Sequence, residues 1–189
     1  VENMYPLFSW GDDIYEKLTD NQYNTWKVCY NKIMGCNTVM DYMDRVSGEE
    51  GRMKSFLIIG LGRFGASLAV ELCAQGHEVL AVDIQPERVQ AVADQVTHCV
   101  VGDARDPEVL RSLGARNFDC AVAAASADVG VSALIVLNLK ELGVARVVGK
   151  ANSMVHRKVL EKIGADRVVF PEHEMGVKLA QGLSSSNVL

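Results

Sequence analysis

A glycine-rich run, Gly60-Leu61-Gly62-Arg63-Phe64-Gly65, and an aspartate eighteen residues beyond it, Asp83, are the residues of this chain best suited to hold a ligand. In the spacing GxGxxG each glycine has its own duty: Gly60 permits a tight turn, Gly62 lets the main chain approach a pyrophosphate, and Gly65 lets a helix pack against the preceding strand. Amides at the start of that helix attract an anion. Asp83 would accept the hydroxyls of an adenosine ribose and repel a 2′-phosphate, which favours NAD, ADP or ATP over NADP. An S-adenosylmethionine site combines the same glycine turn and acid. Arg63 places a guanidinium inside the turn, where its fork of donors could register how many phosphates a ligand carries. Its plain alternative is a surface arginine. Ile84, Asp103-Ala104 and Ala124-Ala125-Ser126 follow the second, third and fourth apolar runs, where an adenosine would lie between them. Asp103 could equally cap a helix and Ser126 could be a solvated loop residue.

These residues need a scaffold, and the sequence supplies one from Met53 onward. Short apolar or β-branched runs at Ser55–Ile59, Glu78–Val82, His98–Val101, Asp119–Ala123, Arg146–Val148 and Arg167–Phe170 have strand length. Helix-like stretches follow each: 64–74, 86–94, 107–113, 129–142, 154–163 and 172–183. Strand then helix, repeated, predicts an α/β fold of the Rossmann-like, doubly wound kind with a parallel six-stranded sheet. Pro86 and Pro107 suit first-turn positions, with Asp83, Gln85 and Asp106 as nearby cap candidates, and Gly76, Gly114, Gly143 and Gly164 fall where helices should close.

Composition breaks near Met53. Every Tyr and Trp lies at or before Tyr42, and the acids and bases divide nine against five before Met53 and fifteen against fourteen after it. Ser47 to Arg52 reads as a polar linker. Residues 1–52 form an expected N-terminal extension, mainly helical or irregular, with amphipathic stretches over 12–18 and 23–34. Its origin is open between a natural extension, a partner-binding arm and a product of chain design or a misassigned start. Residues 53–189 form the expected ligand-binding domain.

Several classes are disfavoured. A net charge of −5 and pI near 5.4 do not suit binding to nucleic acid through phosphate neutralisation. The sequence carries no apolar run of membrane-spanning length and no signal-like start, so direct membrane insertion is not expected. Five cysteines without a CxxC pair suit reduced thiols. An oxidoreductase needs a second substrate region and a proton-transfer group. After Met53 there is no Tyr, and His77, His98, His156 and His173 stand beside no evident nucleophile. No zinc, Walker A or carboxylate-dyad motif is present, so no catalytic residue is expected. Binding without chemistry remains, and a small NAD-dependent oxidoreductase or its cofactor domain is the alternative.

From Met53 to Leu189 the chain resembles the RCK (KTN, TrkA-N type) nucleotide-binding domain of bacterial potassium transport regulators, nearest to the Ktr-type cytosolic subunit. The resemblance rests on Ile59–Gly65, Gly76-His-Glu-Val-Leu-Ala-Val-Asp83, Lys158-Val-Leu-Glu-Lys-Ile-Gly-Ala-Asp-Arg167 and Pro171-Glu-His-Glu-Met-Gly176. It implies a domain that binds NAD(H) or ATP/ADP, pairs into homodimers and higher rings, and regulates an integral membrane potassium transporter or channel from the cytoplasmic face. Gly60, Gly62 and Gly65 would form the phosphate turn and Arg63 would reach terminal phosphates. Asp83 would hold the ribose, with Asp103 on the adenine side and Lys150 on the phosphate side. Glu172 would help hold a divalent cation, Mg2+, beside the phosphates at the dimer interface. The helix from about 172 resembles the crossover helix exchanged between partners, although its apolar stripe could also cover its own sheet. Two departures are residues 1–52, without counterpart in simple regulatory subunits, and the smaller domain that often follows in the family, which lies outside this sequence.

Overall fold

The computed structural model describes residues 53–125 and 128–184. The expected helices over 12–18 and 23–34, and Ser126, lie outside them. β1 (Ser55–Ile59) leads through the glycine turn into α1 (Arg63–Ala74); β2 (Glu78–Asp83) and α2 (Pro86–Gln90) follow, then β3 (His98–Val101) and α3 (Pro107–Ser112). A 3-10 turn at Ala115–Asn117 precedes β4 (Cys120–Ala123), and α4 (Val129–Glu141), β5 (Val147–Lys150), α5 (Met154–Lys162), β6 (Arg167–Val169) and α6 (Pro171–Ser184) complete the order. The six strands are parallel in the order β3-β2-β1-β4-β5-β6, as the alternating pattern predicts.

β1 is the centre of this sheet because both of its faces are apolar. Alternate residues point to opposite sides: Phe56 and Ile58 pack with Leu68 and Leu72 of α1, whereas Leu57 and Ile59 pack with Ile135 and Leu139 of α4 and Leu160 of α5. Burying such a side chain contributes about 1.5–3 kcal/mol, so two such layers hold the helices on both faces.

The chain runs outward from β1 to β3, then returns to start again at β4. The reversal opens a crevice at the carboxyl ends of β1 and β4, where open α/β sheets take ligands. Main-chain bonds keep the loops level there: the amides of Gly60, Gly102 and Ala124 donate to the carbonyls of Val82, Asp83 and Ile59 at 2.8, 3.0 and 2.7 Å.

The helix expected over 86–94 ends at Gln90. The amides of Val92, Ala93 and Gln95 bond three residues back, to Val89, Gln90 and Val92, and this tighter winding puts Val89 and Val92 together in the core. The four expected helix-closing glycines all have left-handed φ.

His156, at the start of α5, is fully buried with its Nε2 2.6 Å from Ser132 Oγ of α4 and its Nδ1 3.1 Å from Asn152 Oδ1. This Ser–His pair has no face open to a substrate, so it braces α4 against α5. Burial pushes the imidazole below its ordinary 6.5, so the unfolded chain takes up a proton before the folded one does. The resulting stabilisation is complete above about pH 6.5 and is lost as pH falls beneath it. Melting curves at about pH 7.5 and about pH 5.5 should therefore show a smaller acid-induced fall in Tm for His156→Gln than for the native chain.

Candidate functional site

The glycine turn has little latitude. Gly60 sits at φ +94°, and a Cβ there would lie 2.7 Å from the amide nitrogen of Ala125; a Cβ on Gly65 would lie 1.9 Å from the carbonyl oxygen of Gly60. α1 therefore rests directly on the turn. Gly62 differs, because a Cβ at that position would meet nothing within 4 Å. Its open side faces the crevice, where a ligand could approach the main chain.

Gly62 is also the N-cap of α1, and no side chain caps this helix and no acid stands in its first turn. The first intrahelical bond beyond the cap is from Ala66 N to Gly62 O, 2.9 Å, leaving the earlier amides without helical acceptors. Their aligned dipoles amount to about half a positive charge at this end. α4 opens on the same crevice but is capped: Asp128 Oδ1 accepts from Gly130 N at 2.7 Å and Val131 N at 3.2 Å. Of these two helix starts, α1 is the one left open to an anion.

Asp83 is 5% exposed. Its Oδ2 accepts from Leu61 N at 2.6 Å and its Oδ1 from Gln85 N at 2.9 Å, while Arg88 Nη1 stands 3.5 Å away. The carboxylate thus ties the end of β2 to the glycine turn while still facing the crevice.

The crevice is a cavity of about 830 Å³. Gly60, Gly62, Arg63 and Phe64 line it from the turn, and Asp83, Ile84, Asp103 and Ala104 from the loops after β2 and β3. Ala124 and Ala125 close the β4 side; Lys150 and Glu172 come from the far side. The structure thus brings the sequence-derived candidates among the described residues together, with two qualifications. Leu61 buries its side chain in the core behind the turn and contributes only its amide to the network around Asp83, and Gly65 serves the packing of α1 without lining the cavity. Arg88, Arg105, Asp128 and Met175 also line it and are not apparent from the motif.

Charge is divided along the cavity. Lys150, its side chain 12% exposed, donates to Glu172 Oε1 at 2.9 Å and lies 5.7 Å from the centre of the Phe64 ring. Arg105 pairs with Asp103, and its hydrogen bonds hold that carboxyl below the ordinary range. Among the described residues Arg63 is the cavity cation with no carboxylate partner. The same residues contain no cluster of three His, Cys, Asp or Glu able to hold a metal ion. Glu172 is a single carboxylate, so any cation beside it would draw its remaining ligands from phosphate oxygens, water or another chain.

This arrangement has close relatives. The family model described as TrkA-N domain matches residues 56–171. Ktr system potassium uptake protein A of Bacillus subtilis is 52% identical over 141 residues, covering 74% of this chain and 64% of that protein. The chain spans under two thirds of the length of the curated relatives it matches first. Among solved structures, the TrkA-N domain of the inner membrane protein ybaL from Escherichia coli superposes with a TM-score of 0.63 at 18% identity, covering 71% of this chain and 99% of that one. The GsuK channel bound to NAD does so at 0.56 and 19%, covering 69% and 25%. At these identities the structural likeness speaks to the fold.

Proposed function

The chain belongs to the TrkA-N domain family, and from that premise we propose that residues 53–189 form a nucleotide-binding regulatory domain that acts on a membrane potassium transporter or channel from the cytoplasm, with residues 1–52 as an extension of separate role. The observation that carries this reading is the uncapped start of α1, open at Gly62, with the unpaired guanidinium of Arg63 beside it. That combination suits the phosphates of NAD(H), ADP or ATP, while Asp83, Ile84, Asp103 and Ala104 suit an adenosine. A same-fold channel holding NAD supports the ligand class, and relatives named for potassium uptake support the process.

The state of the acids among the described residues that line the cavity supports binding without chemistry. Asp83, Asp103, Asp128 and Glu172 are each engaged by amides or cations, and the Ser132–His156 pair is buried elsewhere. In the proposed mechanism the ligand shifts a conformational equilibrium by binding one arrangement better than another. α6 is the element suited to respond. None of its side chains is buried, and Val177, Leu179 and Leu183 are exposed, which supports the reading of its apolar stripe as a contact for a second copy of the chain over a cover for its own sheet. Its first turn reaches the cavity through Glu172, so phosphates competing for Lys150 would act on α6. Mg2+ held between Glu172 and the phosphates would act at the same point.

Calorimetric titration with ATP, ADP and NAD tests the proposal, with small-angle scattering reporting whether ATP and ADP give different subunit arrangements. Arg63→Ala should weaken ATP by about tenfold and ADP or NAD less, since a terminal phosphate gains most from a fixed guanidinium. Equal losses for all three would remove Arg63 from the terminal phosphate. Hydride transfer from NADH to small carbonyl substrates by this chain would instead favour the oxidoreductase.

A further inference from the structure

The loop after β3 holds an acid whose two oxygens are both engaged by one arginine. Asp103 Oδ1 accepts from the main-chain amide of Arg105 at 3.0 Å and from Arg105 Nε at 2.8 Å; Oδ2 accepts from Nε at 3.0 Å and from Nη2 at 2.6 Å. An ionised carboxylate offers about four acceptor positions, and three N–H groups of one residue two places along the chain, with Nε shared between the oxygens, take most of them. Asp103 stays ionised and can only accept, because its bonds to Arg105 lower its pKa.

The main chain of this loop is held from several sides. Asn138 Nδ2 donates to the Arg105 carbonyl at 2.9 Å, Asp106 N to the Asp103 carbonyl at 3.1 Å, and Gly102 N to the Asp83 carbonyl at 3.0 Å. The Arg105 side chain is 48% exposed, and Asp103 is the partner of its guanidinium. The guanidinium is therefore the part able to move while the carboxylate stays in place.

We propose that Arg105 is an internal competitor for the base edge of the cavity, a specificity-determining residue whose guanidinium must yield an oxygen of Asp103 before a ligand's exocyclic amine can bond there. This rests on the nucleotide reading of the cavity. A 6-amino purine supplies a donor to take the vacated acceptor position, and the displaced guanidinium remains in solvent contact. A 6-oxo purine supplies an acceptor, which the carboxylate repels and the guanidinium can bond. Arg105 thus narrows the difference between adenine and hypoxanthine ligands, and its removal widens it.

An exposed ion pair is weak, so its loss should tighten ATP and AMP by only about two- to fivefold. Titrations of the native chain, Arg105→Ala and Arg105→Lys with ATP, AMP, ITP and IMP test this, with circular dichroism checking the fold. Arg105→Ala should bind ATP and AMP more tightly and ITP and IMP no better, raising the amino-to-oxo ratio, with Arg105→Lys between the two proteins. An unchanged or lower ratio in Arg105→Ala overturns the competitor role while leaving nucleotide binding intact. A native chain that binds none of the four overturns both this inference and the function on which it rests.

Discussion

Gly65→Ala should destabilise the domain by about 3 kcal/mol or more, lowering Tm on the order of 10 °C. The added methyl would sit 1.9 Å from the carbonyl oxygen of Gly60, a main-chain atom rather than the movable end of a side chain. That carbonyl cannot easily retreat, since Gly60 N is bonded to Val82 O at 2.8 Å and its φ of +94° is set by the turn. α1 would have to lift from β1, opening the layer in which Leu68 and Leu72 meet Phe56 and Ile58. The neighbouring Gly62→Ala should behave in the opposite way. Its backbone, φ −68° and ψ −175°, suits any residue, and its Cβ would stand in open space. Stability should stay within about 0.5 kcal/mol while nucleotide affinity falls about tenfold or more, because the methyl fills the approach to the helix amides. Urea unfolding and calorimetry on both variants measure the two effects separately. If Gly62→Ala bound ATP as the native chain does, the phosphates would lie elsewhere.

That contrast also marks what can be read from a sequence. GxGxxG between a strand and a helix announces the turn because Gly60 and Gly65 have no room for a side chain, while Gly62 leaves the main chain open to a ligand, and the apolar runs announce β1, β2 and β4 most plainly because a doubly covered strand is apolar on both faces. Which member does which job is less legible. Leu61 lies within the motif and so reads as a binding residue, yet its side chain is core and its amide serves Asp83. Arg105 and Arg88 carry no periodic or motif signal; an arginine two residues past an aspartate in a loop looks like any solvated surface pair until the loop is seen to face the cavity. α4 hides its inner face for another reason. Ile135 and Leu139 are buried while Leu134 and Leu137 are exposed, so hydrophobicity surrounds the helix and does not reveal that Asn138 turns inward to hold the Arg105 carbonyl.

Asp83→Ala carries the second large expected effect, and it separates two duties of one carboxylate. The substitution leaves Leu61 N and Gln85 N without their acceptors. Leu61 is buried, and its amide bond to Asp83 Oδ2, at 2.6 Å, has the short length of a charge-assisted bond. Losing two such bonds should cost about 2–4 kcal/mol. The glycine turn, no longer tied to β2, should loosen, and every ligand bearing adenosine should weaken together by about tenfold or more, ATP, ADP and NAD alike. Asp83→Asn refines the result. Its amide oxygen can still accept from one main-chain N–H, while its NH2 group faces the other donor and bonds neither. Stability should therefore recover only in part, and so should binding. Arg88 is the control: half exposed and 3.5 Å from Asp83, it should contribute under about 1 kcal/mol when replaced by alanine. Were Asp83→Ala to melt with the native chain and lose adenosine ligands all the same, the carboxylate would be a ribose contact alone. Were it to unfold at lower urea yet retain full affinity after refolding, its work would be confined to the turn.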